Sequence, residues 1–115
     1  MMDLQVAEVV DNIGSVSLSG RLDAPGADAI GVRFHAAVAA PGRNVIVDLS
    51  GVDFVASMGI RLLIGAARAL NVKGARMVLC GAQGMVATVL EETSIDQIIP
   101  MAATTQDART LLASA

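Results

Sequence analysis

The segment Asn44-Val45-Ile46-Val47-Asp48-Leu49 is a short, nearly continuous apolar run. A strand with one wet face alternates apolar and polar residues. A run without that alternation fits a central strand covered on both faces. Ala75-Arg76-Met77-Val78-Leu79-Cys80-Gly81 is a second such run, and helical patterns lie between and after the two. Buried strands that alternate with helices imply parallel crossover connections and covering helices.

The rest of the chain fits that frame. Leu4 to Val10 alternates roughly with period two, Asp11-Asn12 and Gly14 read as a turn, and Val16-Ser17-Leu18-Ser19 alternates again. Residues 4–19 therefore read as a hairpin. Gly20-Arg21-Leu22-Asp23 leads to Pro25, which suits a first helical turn with Asp23 as its cap. Ala27, Ile30, Phe34 and Val38 follow at helical spacing, and Pro41-Gly42 stops that helix. Ser50 to Val55 reads as a bend with apolar anchors. A second helix runs from near Ser57 to about Leu70 and closes at Asn71 and Lys73-Gly74. Gly84 to Glu92 reads as a short helix, Ile98-Ile99 before Pro100 as a short edge strand, and Thr105 to Ala113 as a last amphipathic helix. The expected order is β-β-α-β-α-β-α-β-α in one α/β domain spanning 1–115. Its mixed sheet of about five strands is covered by about four helices.

Composition narrows the function. The chain has 115 residues, 54% of them hydrophobic and 17% charged, with no Trp, no Tyr and two Phe. The core is therefore aliphatic. The net charge is −3. With no basic cluster and no aromatic stacking residues, nucleic acid and anionic membrane surfaces are not expected partners. The longest apolar stretch, Leu62 to Ala67, is far short of the ~20 residues that span a bilayer. The acidic start, MMDLQVAEVVDN, lacks the pattern of a signal peptide. A cytoplasmic location is the simplest expectation.

The chain offers little for catalysis. His35, the one histidine, falls on the polar side of the first helix and reads as a solvated residue. Cys80, the one cysteine, ends a buried strand and reads as a packing residue. Gly81-Ala82-Gln83-Gly84 lacks the spacing of a phosphate-binding loop. No metal-ligand spacing occurs, so neither cofactor nor metal is expected. An enzyme is the least expected reading, and a small-ligand or nucleotide sensor has little more behind it.

Two patterns in the second helix are more informative. Ile60, Leu63, Ile64, Ala67 and Leu70 form its apolar stripe. Arg61, Gly65 and Arg68 line up on another face, with Ser57 one turn before Arg61. A mid-helix glycine costs about 1 kcal/mol relative to alanine, so Gly65 marks a surface that something can approach closely. The three residues form a candidate docking stripe. By position, Ser57 reads first as an N-cap. The nucleophile-elbow pattern is missing, because Val55 stands where a glycine is needed. A phosphate on Ser57 would be tolerated at a helix N-terminus and would add about −1.5 to −2 charges. Asp23, Asp48 and Asp53 lie at strand ends or bends that this topology can gather around it.

The stretch Val47-Asp48-Leu49-Ser50-Gly51-Val52-Asp53-Phe54-Val55-Ala56-Ser57-Met58-Gly59-Ile60 resembles the signature of the STAS domain of bacterial anti-sigma-factor antagonists. Ser19-Gly20-Arg21-Leu22-Asp23 and the segment from Ala67-Arg68 to Gly74-Ala75-Arg76-Met77-Val78-Leu79 resemble two further family motifs, in the right order. The resemblance implies partner switching. The unmodified protein binds an anti-sigma factor that is also a serine protein kinase, and so releases the sigma factor. Phosphorylation of a serine at the start of the second helix breaks the complex, and a serine phosphatase resets it. Ser57 matches that serine, and Asp23 and Asp48 match the acidic positions flanking it. Ala56 and Met58 replace the family's usual aspartate and second serine. With Gly59, Arg61, Gly65 and Arg68 they complete the expected partner surface. The alternative is a constitutive STAS interaction module, such as a transporter-complex subunit or a signalling scaffold, in which Ser57 is not phosphorylated.

Overall fold

The computed structural model describes residues 2–113. Its strands are β1 (Asp3–Val6), β2 (Gly14–Leu22), β3 (Val45–Val55), β4 (Met77–Cys80) and β5 (Met101–Ala102). Its α-helices are α1 (Ala24–Phe34), α2 (Ser57–Val72), α3 (Gly84–Glu92) and α4 (Thr105–Ala113). The strands form one sheet in chain order, with β1 antiparallel to β2 and every later pair parallel. The expected α/β order and mixed sheet are what the chain adopts.

Alternation along the strands builds two cores. Val45, Val47 and Leu49 of β3 face one way, with Met77 and Leu79 of β4, and meet Phe34, Leu63, Leu70 and Leu90 from the helices. Ile46, Val78 and Cys80 face the other way and meet Ala108 and Leu112 of α4. β3 and β4 are thus covered on both faces, as their continuous apolar runs require. β2 instead keeps Ser17 and Ser19 exposed opposite buried Val16 and Leu18.

Several boundaries differ from the sequence reading. The first strand ends at Val6, and Val10 only bridges Ile13 across the turn. The first helix continues past Phe34 as a π-helical turn, His35–Ala39. The expected bend at 50–55 is instead the second half of an 11-residue β3. That strand carries two register shifts against β2, at Ser17/Ser19 and Gly20/Arg21. Each shift is a bulge that inserts one extra residue on β3, and bulges do not appear in a hydropathy pattern. The short edge strand is Met101–Ala102, not Ile98-Ile99. Ile98 and Ile99 both donate backbone N–H groups to the Ile95 carbonyl, at 2.8 Å each, and so close a 3₁₀ turn. Pairing resumes only at Pro100, whose carbonyl accepts from Leu79 N at 3.0 Å.

Candidate functional site

The outer end of the β2–β3 pair carries the residues around Ser57. β2 ends at Leu22 opposite Val55, and Leu22 O accepts a hydrogen bond from Ala56 N at 3.0 Å. The two chain segments then diverge into α1 and α2, so Asp23 and Ala56 stand side by side. Asp23 is the N-cap of α1, as expected. Its Oδ1 accepts from Gly26 N at 2.9 Å and its Oδ2 pairs with Arg21 Nε at 3.3 Å. The Gly26 N–H holds the carboxyl below its ordinary pKa, and the Arg21 guanidinium adds to this. Arg21 also lies over the Phe54 ring, 4.1 Å from its centroid. Arg21 and Phe54 were not singled out in the sequence. Their link is the β2–β3 register that sets them opposite each other, and no one-dimensional pattern contains it.

Ser57 is not a cap. It is the first residue of α2, and the N-cap position is filled by Ala56, which offers no side-chain hydrogen bond. An N-cap has extended backbone, and that bend falls on Ala56 (φ −127°, ψ 177°). Ser57 is exposed, and no side-chain hydrogen bond ties its hydroxyl to any described residue.

The other expected site residues divide into three groups. Met58, Arg61, Gly65 and Arg68 are exposed on α2. Met58 and Arg61 border a groove between α1 and α2 whose far wall includes Asp28, Gly31 and Val32. The groove continues past Arg61 to Gly65, His35 and Phe34. Arg61 Nη1 reaches Met58 Sδ at 3.9 Å. A side chain at Gly65 or Gly31 would meet nothing within 4 Å, so nothing inside this chain requires glycine at either position.

Gly59 is different. It is buried, and a Cβ there would lie 2.6 Å from Leu22 Cγ and collide with the Leu22 carbonyl oxygen. Its surface is spent on packing α2 against the end of β2, so it cannot face a partner. Asp48 is also removed from the site. It pairs with Ser17 and Cys80, five β2 residues short of the Leu22–Val55 pair, which is about 16 Å at ~3.3 Å per residue. Asp48 Oδ1 accepts from Ser50 N at 2.9 Å, which holds the first bulge of β3. Asp53 is exposed in the second bulge. Of the three aspartates, the fold brings Asp23 beside the start of α2 and leaves Asp48 well below it.

His35 is exposed, and Cys80 is buried with its thiol pKa pushed up by that burial. Among the described residues no cluster of His, Cys, Asp and Glu could hold a metal ion, and no helix is long and apolar enough to cross a membrane.

The family model of the STAS domain matches residues 5–108. The chain belongs to the STAS domain family. STAS domains are in general binding modules rather than enzymes. Solved structures agree. A STAS domain protein from Planctomyces limnophilus, described as an anti-sigma-factor antagonist domain, is 28% identical with a TM-score of 0.85, over 96% of this chain and 97% of that one. An anti-sigma factor antagonist from Mycobacterium paratuberculosis is 25% identical with a TM-score of 0.86, over 98% and 95%. The fold also occurs in the murine Solute Carrier 26 family member A9 anion transporter, at 19% identity and a TM-score of 0.80. There 95% of this chain covers 19% of that one. No curated protein matches the sequence.

Proposed function

We propose that this STAS domain is a bacterial anti-sigma-factor antagonist that works by partner switching in the cytoplasm, with Ser57 as the phosphorylated residue. In its unmodified form it binds an anti-sigma factor that is also a serine kinase, and so frees a sigma factor for transcription. A serine phosphatase reverses the modification. The protein performs no reaction of its own. The observation that carries the reading is the Ser57 hydroxyl, exposed and unbonded at the first position of α2, next in the chain to Met58, which lines the α1–α2 groove. A cap would have used that hydroxyl; here it is free for a kinase. Met58, Arg61, Gly65 and Arg68 supply the partner surface beside it. A phosphate at this edge places about −1.5 to −2 charges where a partner must be desolvated.

The test is phosphoryl transfer. Wild type and Ser57→Ala are incubated with the cognate kinase and ATP, and intact mass is measured. Wild type gains one phosphoryl group, the variant none, and only the modified form leaves the kinase. A wild-type protein that gains no mass would falsify the switch. The second reading, a constitutive interaction module, is favoured by the occurrence of this fold within an anion transporter chain. It predicts equal binding by wild type and Ser57→Asp.

A further inference from the structure

The end of the molecule opposite Ser57 holds a cleft of about 560 Å³, bounded by the β1–β2 turn, Asn44 and α4. Asp11, Asn12, Asn44, Gln106, Arg109 and Thr110 give it a polar lining. Each is placed by the fold. Asp11 (φ 53°) and Asn12 (φ 61°) are successive left-handed residues, the signature of a two-residue type I′ turn. The turn is closed by Ile13 N to Val10 O at 2.9 Å and Val10 N to Ile13 O at 3.2 Å. Asn44 Oδ1 accepts from Arg76 N at 2.9 Å, which fixes its amide. Gln106, Arg109 and Thr110 fall at i, i+3 and i+4 on one face of α4.

Arg109 is the anomaly. Its Nη1 is sealed from solvent and has no hydrogen-bond partner. With Nη1 closed off, an acceptor entering the cleft would meet the guanidinium through its other N–H groups, at a charge that is already partly desolvated. The cleft also contains Asp11, yet the one ion pair among the described residues is Arg21–Asp23. A cation and a carboxylate therefore share one cleft without forming an ion pair. A phosphate dianion would be opposed by Asp11 and has a single cation to meet it. An apolar ligand would strand the lining amides. A ligand carrying both a carboxylate and an ammonium satisfies both charges at once.

We propose that this cleft binds a small zwitterion of the amino-acid class, its carboxylate on Arg109 and its ammonium on Asp11. The Asn12, Asn44 and Gln106 amides and the Thr110 hydroxyl meet the polar remainder. The site is separate from the Ser57 face and does not depend on the switch.

The experiment titrates the full ¹⁵N-labelled chain with each protein amino acid in turn at millimolar concentration. Acetate, ethylammonium and inorganic phosphate serve as separate probes. At least one amino acid is expected to shift the amides of residues 11–13, 44 and 106–112 saturably, and to lose this effect as its N-acetyl or carboxamide derivative. Arg109→Gln and Asp11→Asn should each weaken that binding by about tenfold to hundredfold. Arg109→Met should keep the folded spectrum, because it removes a donor that holds nothing in place. Absence of saturable shifts with every amino acid overturns the proposal. So does an equal response to acetate or phosphate alone, or unchanged binding by Asp11→Asn. The Asp11 variant lies on an exposed turn and keeps the test decisive if the Arg109 variants fail to fold.

Discussion

Alanine at position 56 leaves α2 without a side-chain cap, although α2 is 16 residues long and begins at the candidate site. The free N–H groups of its first turn have no partner from the cap position. Ala56→Asp or Ala56→Ser should therefore raise stability by about 1 kcal/mol, read as a higher denaturant midpoint at constant slope. Ser57→Ala should change it by less than about 0.5 kcal/mol, since the hydroxyl holds nothing. A large loss on Ser57→Ala would mean that the serine caps after all. Asp23, by contrast, is a working cap whose pKa is lowered by the Gly26 N–H and then by Arg21. A lowered folded pKa gives stability that is fully present at neutral pH. That stability fades as pH falls through the ordinary aspartate range, near 4, and is gone below the folded value. Asparagine caps about as well as aspartate. The stability difference between wild type and Asp23→Asn should thus shrink as pH drops from neutral toward 3; a difference independent of pH would remove the charge from the account.

At the scale of elements, the two glycines of α2 make opposite demands. Gly59→Ala forces a Cβ into Leu22 and should cost about 1–3 kcal/mol. Gly65→Ala fills open space and should add about 0.5–1 kcal/mol. If the α1–α2 groove is the docking surface, Gly65→Leu should weaken kinase binding without lowering the thermal midpoint; tight binding by that variant would clear the groove of this role. The sequence distinguished these glycines only in part. Gly65 stood out because it interrupts a long helical stripe, whereas Gly59 needs the position of Leu22, which belongs to another strand. The same limit explains the other differences. Strand coverage was legible: β3 and β4 run apolar where α4 covers their second face, and β2 alternates with serine where α4 does not reach. The helix Thr105–Ala113 was legible at both ends. Bulges, and with them the true place of Asp48, were not, since an inserted residue changes spatial register without changing composition. Ile98 and Ile99 carry strand-like side chains, but the left-handed Ser94 (φ 59°) turns the chain into a 3₁₀ turn first.

For the whole molecule, the question is how charge at Ser57 would act on a fold it does not hold together. The residue lies outside both cores, at the far end of a sheet whose interior is aliphatic apart from Phe34. A phosphate there meets the unpartnered N–H groups and the positive end of α2, a gain of about 0.3–1 kcal/mol, opposed by the neighbouring Asp23 carboxylate. Neither term reaches the packed faces of β3. Phosphorylation should therefore leave the thermal midpoint unchanged or slightly higher, while the affinity for the kinase partner falls about tenfold or more. Calorimetric unfolding and a binding titration on the same phosphorylated sample measure both. Amide shifts should stay within the first turn of α2 and the adjoining Leu22–Gly26 segment. A lowered midpoint, or shifts spreading through β3 and α4, would mean that the modification works by rearranging the domain. The arrangement around Ser57 favours the local effect: a free hydroxyl, an uncapped helix start and an exposed groove beside it let a phosphate change what the surface binds while the sheet beneath stays as it is.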